Sequence, residues 1–296
     1  MQSSMSLLLG TSGWSYKEWV GPFYATPRRM FSTYAEVFRT TEINSTFYSY
    51  PTQSLVRGLY RTSPSGFVFA AKLPQLITHR KKLGIGEGVL EDLDRFMQLM
   101  RPLGEKLGPV LIQLPPSFNF EDDSEAFETF IESLPENMDF SAEFRHPSWI
   151  RDETWKMLRQ NKVAYTIVDE PLLPAEMQVT SDIAYVRWHG HGRPTWYNYS
   201  YSKDQLAQWV PRLKEVTKKA KTTYGYFNNH FYWQLRRTDE KWGYPGAVKN
   251  GVELLEMLNQ ATQAQKEALK GISEWIEKKE GRGDRPTQRR LDNLNS

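Results

Sequence analysis

The stretch IAYVRWHGHG, residues 183–192, decides the architecture, because an apolar run there breaks into arginine, histidine and glycine. Residues 183–189 read as a buried strand. With a side-chain period of two, Arg187 and His189 emerge on one side and Trp188 on the other. MDFSAEFRH, residues 138–146, repeats the form, with Glu143 and Arg145 sharing a side. Six more short runs, at 7–11, 40–47, 67–72, 109–114, 163–168 and 222–228, are apolar and bounded by polar or breaker residues, as fully buried parallel strands are.

Helical periodicity fills most of the gaps. Val89, Leu90, Leu93, Phe96, Met97 and Met100 make one apolar stripe, Phe127, Phe130, Ile131 and Leu134 a second, and Leu206, Trp209, Val210 and Leu213 a third. Thr26 before Pro27 predicts a capped helix start, and Ser202 with Gln205 has the spacing of a capping box. Regular alternation of strand and helix implies parallel pairing, so the expected fold is α/β, a TIM-type (β/α) barrel. Between the sixth and seventh strands the chain reads DEPLLPAEMQVTSD, residues 169–182, where Pro171 and Pro174 interrupt any full crossover helix. The barrel is therefore expected to be irregular on that side.

The expected division is a barrel domain over 1–258 and a helix with a tail over 259–296. Ala268, Leu269, Ile272, Trp275 and Ile276 keep helical spacing, whereas GRGDRPTQRRLDNLNS, residues 281–296, has almost nothing to bury and reads as disordered. The 296 residues suit one barrel plus an extension, since such a barrel needs ~250. Ten Trp, fifteen Tyr and fifteen Phe point to an aromatic-rich core. A net charge of +3 is far short of the dense basic surface of a dedicated nucleic-acid binder. The absence of cysteine excludes disulfides, thiolate metal sites and cysteine nucleophiles. MQSSMSLLLGTSGW lacks the pattern of a signal peptide, and no run approaches the ~20 apolar residues of a membrane span. A cytoplasmic protein without membrane contact is expected.

Seven blocks, in order, carry a resemblance: GTSGWSYKEW with GPFY (10–24), EINSTFY (42–48), KLPQLITH (72–79), QLPPSF (113–118), AEFRHPSW (142–149), YVRWHGHG with WYNYSYS (185–202) and YFNNH (226–230). Over roughly residues 7–258 the chain resembles domain-of-unknown-function family 72, the YecE-like proteins. The resemblance implies a TIM-type barrel and transfers no catalytic residues, because that family has no established reaction. This chain departs from the family pattern in a longer insertion at 231–246 and in its tail.

In a closed parallel ring the strand ends meet at one mouth. They bring Glu42 and Asn44, Lys72, Gln113, Glu143 and Arg145, Asp169, Arg187 and His189, and Asn228, Asn229 and His230 together. Trp14 and Tyr48, from a wider set of aromatics at the same mouth, are candidates for stacking on a sugar ring or a base. The leading expectation is an enzyme, a hydrolase or phosphodiesterase-like, that binds a phosphate-bearing ligand, a nucleotide or nucleic acid. Glu143, Asp169 and His189 are its candidate catalytic groups, Arg145 and Arg187 an anion clamp, and the other strand-end residues its ligand contacts. On this reading alanine at Glu143 leaves the fold intact and abolishes turnover. A divalent metal held by Glu143, Asp169, His189 and His230 is the cofactor considered, although no local ligand motif supports it.

Two alternatives stand beside it. A non-catalytic nucleic-acid binder would use the basic residues of 212–221, those at Arg80, Lys81 and Lys82, and the tail. A glycan-active barrel would use Glu42 and Glu143 as paired carboxylates ~5 to 10 Å apart across a groove.

Overall fold

The computed structural model of the chain describes residues 6–235 and 241–281. Eight parallel strands close a barrel in sequence order: β1 (Ser6–Ser12), β2 (Thr40–Ile43), β3 (Val68–Lys72), β4 (Leu107–Gln113), β5 (Phe140–Glu143), β6 (Ala164–Asp169), β7 (Ile183–Trp188) and β8 (Thr222–Phe227). Around it lie α1 (Met30–Val37), α2 (Ser45–Tyr48), α3 (Gln53–Thr62), α4 (Val89–Met100), α5 (Phe120–Glu132), α6 (Asp152–Gln160), α7 (Lys203–Lys219) and α8 (Gly246–Met257). α9 (Gln263–Gly281) continues beyond the barrel, and β9 (Tyr232–Leu235) pairs with β10 (Lys241–Tyr244) as an antiparallel hairpin inside the 231–246 insertion. The tail read as disordered, residues 282–296, lies outside the described residues. No described helix is long and apolar enough to cross a membrane.

Strand parity divides the core in two. Ala70, Leu111, Ala164, Ile183, Tyr185, Tyr224 and Tyr226 form a cluster of their own, the lumen of the barrel. Residues of opposite parity, such as Phe69, Val110, Ile112, Ile167 and Trp188, join the larger aromatic-rich layer between strands and helices. There Trp188 stacks on Phe227 and Phe144 on Trp149, with centroids 4.5 and 4.4 Å apart. Aromatic rings do much of the filling, as the composition implies.

Local chemistry sets several element ends. Ser202 and Gln205 complete the expected capping box of α7, Thr52 caps α3 through the Leu55 N–H, and Asn119 caps α5 through the Asp122 N–H. α1 starts later than Thr26–Pro27 predicts. The Thr26 hydroxyl accepts from the Arg28 N–H at 3.3 Å in a local turn, and Arg29 at φ 62° precedes the first helical residue, Met30. β2 ends at Ile43 rather than running to residue 47, because Thr46 Oγ1 reaches the carbonyls of Ile43 (2.9 Å) and Lys72 (2.7 Å) and turns the chain into α2. No helix forms over residues 170–182, as the prolines imply.

The β1–β2 seam is the least continuous part of the ring near its base, with paired residues only at Thr11–Thr41 and Ser12–Glu42. Below them the buried Tyr34 hydroxyl does the bridging. It accepts from the Thr11 N–H and donates to the Thr40 carbonyl, both at 2.9 Å. Gly10 allows this approach, since a Cβ there would stand 2.1 Å from Thr40 O. α9 joins the same core: Ile272 is fully buried, Gln265 Nε2 donates to the Val37 carbonyl at 2.8 Å, and Trp275 Nε1 donates to Gly243 O at 3.2 Å. Tyr34→Phe leaves a buried donor and acceptor without partners, so urea denaturation is expected to show a loss of about 2–4 kcal/mol.

Candidate functional site

Inward parity carries Glu42, Lys72, Gln113, Glu143 and Arg187, each the last or last-but-one residue of its strand, into a polar layer above the tyrosines. Tyr226 donates to or accepts from Thr40 at 2.7 Å, and the Tyr185 hydroxyl donates to Glu42 Oε2 at 2.7 Å. Over them lies Arg187, 1% exposed, with Nη2 on Glu42 Oε1 at 2.7 Å and Nη1 on Glu143 Oε2 at 2.6 Å. Glu143 is fully buried and its second oxygen pairs with Arg145 Nη2 and lies 3.3 Å from His189 Nε2. Arg145 in turn reaches Glu170 Oε2 at 3.2 Å. One connected network thus spans β2, β5, β7 and the segment after β6.

The charge states follow from burial and neighbours. Burial alone would raise the Glu143 pKa, but Arg145, Arg187 and His189 together hold it well below the usual carboxylate range. Arg187 is held cationic, burial being outweighed by Glu143 and Glu42. Burial, and then the Arg145 charge, push His189 down to about 3, so its ring is neutral at physiological pH.

Lys72 is the exception in this layer. It is 8% exposed, donates to Gln113 Oε1 at 2.7 Å and stands 3.7 Å over the Phe47 ring, and no described carboxylate pairs with it. Desolvation, followed by the Arg187 charge, lowers its pKa to about 7, so both forms of the amine are populated near neutrality. His79 flanks the same Phe47 ring at 4.9 Å, from a π-helical turn, Leu76–Arg80, and burial then the Lys72 charge push it down to about 4.

The expected site residues divide. Glu42, Lys72, Gln113, Glu143, Arg145, Arg187, His189 and Asn228 converge, with Asn228 Nδ2 3.0 Å from His189 Nδ1. Asn44 follows the Ile43–Ala71 pair, which sets it beside Lys72 in register, and its buried Oδ1 lacks a partner among the described residues. Asp169 points the other way, to His191 Nε2 (2.7 Å) and Trp209 Nε1 (3.0 Å), because it has the outward parity of Ile167. Glu170, which the sequence reading passed over, takes its place. Asn229 is buried on Tyr199 O and Asn250 Oδ1, away from the lumen. Trp14 packs on Phe31 and Phe69, His230 is stacked between Tyr16 and Tyr197, and Tyr48 is largely exposed. The four suggested metal ligands do not gather, and no described group of three or more His, Asp and Glu could hold a metal ion.

Two measurements test this electrostatic picture. Glu143→Ala leaves two guanidinium groups short of a counter-charge, so, against the expectation of an intact fold, a loss of about 3–5 kcal/mol is expected in urea denaturation. Lys72→Met should do the reverse. The depressed amine costs stability once the unfolded chain binds a proton that the native site resists; this cost is absent above the unfolded value of 10.5, grows as pH falls toward 7 and is constant below. Thermal unfolding at pH 6–7 is expected to favour Lys72→Met by about 1–3 kcal/mol, the advantage shrinking toward pH 10.

Comparisons with known proteins agree with this architecture. A family model described as "Protein of unknown function DUF72" matches residues 8–268. UPF0759 protein YunF of Bacillus subtilis is 22% identical over 279 residues, covering 86% of this chain and 95% of that protein. UPF0759 protein YecE of Escherichia coli K12 is 27% identical over 143 residues, covering 48% and 50%. A crystal structure of a DUF72 family protein from Thermotoga maritima superposes with a TM-score of 0.73 at 31% identity, covering 86% of this chain and 99% of that one. With its barrel, its ordered strand-end motifs and this match along most of its length, the chain belongs to the DUF72 family.

Proposed function

We propose that the barrel mouth is the active site of an enzyme that takes a small phosphate-bearing ligand, up to the size of a nucleotide, and performs acid/base or hydrolytic chemistry on it. One observation carries the reading: among charges that are otherwise mutually paired, the Lys72 amine has only a neutral amide oxygen and a ring face. A buried amine near pKa 7 can give or take a proton at neutral pH, and an anionic ligand supplies the counter-charge it lacks.

Lys72 is thus the proton-transfer group, while Glu143, with both oxygens on cations, acts as the counter-ion that orients Arg145, Arg187 and His189. The clamp is narrower than two free arginines, because both terminal nitrogens of Arg187 are engaged. Arg145, at 11% side-chain exposure against 2% for Arg187, is the guanidinium nearer the opening.

The other readings have less support. Of the basic stretches suited to nucleic acid, Lys218 pairs with Glu215, Lys221 with Asp182 and Lys81 with Asp92, which dilutes any positive field. Glu42 and Glu143 close on one guanidinium instead of flanking a groove, which disfavours glycoside chemistry.

Sulfate keeps a constant charge across neutral pH and reports the Lys72 proton. Its affinity, measured by calorimetry, is expected to fall about tenfold per pH unit above 7 in the native protein and to lose that dependence in Lys72→Met. In a turnover screen of phosphate esters and nucleotides, Lys72→Met is expected to lose at least about 100-fold in rate. Undiminished turnover by that variant, or pH-independent sulfate binding, sinks the reading.

A further inference from the structure

We propose that the Lys72 amine is a nucleophile as well as a proton carrier, forming an imine with the carbonyl carbon of an aldehyde or ketone that bears the anionic group. This rests on the reading of the mouth given above and narrows its substrate class. The geometry favours attack. Thr46 Oγ1 fixes the Lys72 carbonyl at 2.7 Å, the Phe47 ring supports the nitrogen from one side at 3.7 Å, and Gln113 Oε1 takes one N–H at 2.7 Å. An amine tethered in this way is not held as an ammonium by a carboxylate. The same arginines ensure this, because they occupy Glu42 and Glu143, the counter-ions that would otherwise claim the lysine. Desolvated lysines without a counter-ion are the ones that form such adducts.

The step balances without a co-reactant. The nitrogen lone pair forms a C–N bond as the carbonyl π pair moves to oxygen; one amine proton transfers to that oxygen, and a second leaves with it as water, giving the neutral imine. His79, neutral and flanking the same ring, is placed to relay these protons, and the unpartnered Asn44 Oδ1 can accept from the intermediate hydroxyl. Asn44 directly follows β2, the neighbour of the strand that ends in Lys72, and His79 lies in the π-helical turn that follows that strand.

Glycolaldehyde phosphate with cyanoborohydride at pH 7 tests this on the full-length protein, the hydride reducing any imine to a stable secondary amine. Peptide mapping is expected to find Lys72 modified at least about 100-fold faster than the exposed Lys203 and Lys270. Lys72→Arg should abolish that fast modification and leave the slow background. Reaction at Lys72 no faster than at Lys270, in protein shown folded by circular dichroism, overturns the proposal. Glycolaldehyde without phosphate separates the two claims. Equal modification by both aldehydes supports the imine and removes the phosphate preference, whereas phosphate-dependent binding without any adduct removes the imine and leaves the mouth's ligand class standing.

Discussion

A single guanidinium organises the upper half of this molecule. Arg187 joins β7 to carboxylates on β2 and β5, so its ion pairs run across the lumen and tie together strands that share no ladder. Burying three charges is expensive, and such clusters seldom exceed an apolar core in stability. What this one does is distribute charge unevenly: both carboxylates are paired with guanidinium, Arg187 is engaged at both terminal nitrogens, and the neighbouring lysine has a depressed proton affinity. The depressed proton affinity of Lys72 thus comes first from its burial and then from the Arg187 charge, with no carboxylate paired to it to offset them.

Much of this was legible in the sequence, because a period of two is a strict rule. Glu143 with Arg145, and Arg187 with His189, share parity, and the barrel turns each pair inward. The same rule, applied to the strands on either side of β7, separates Asp169 from Glu170 and Asn228 from Asn229, assigning one of each pair to the lumen and the other to the helix layer. Asp169 and Glu170 therefore leave the end of one strand on opposite sides. Parity with Thr166, whose hydroxyl lies 2.6 Å from Ser141 inside the ring, selects Glu170.

What could not be read depends on contacts between distant residues. Phe47 lies under Lys72 because Thr46 bonds to another strand's carbonyl, and no local pattern announces that turn. Asn250, in the first turns of α8, holds both the Tyr201 backbone and the Asn229 amide, which withdraws Asn229 from the mouth. The run around Arg80, Lys81 and Lys82 looks uniformly basic, yet Lys81 is tied to Asp92 while His79 turns toward Phe47. Those divisions are made by partners well beyond one helical turn, up to 49 positions apart for Tyr201 and Asn250.

The π-helical turn that carries His79 has a further implication. A π turn holds one residue more than the α turn it replaces, and such insertions persist chiefly where they aim a side chain. Removing one residue from Leu76–Arg80 would let the segment relax to an α turn and swing the following side chains by about 100°. Shortened there, the chain would keep the barrel and its buried ions, but His79 would no longer flank the ring on which the Lys72 amine rests.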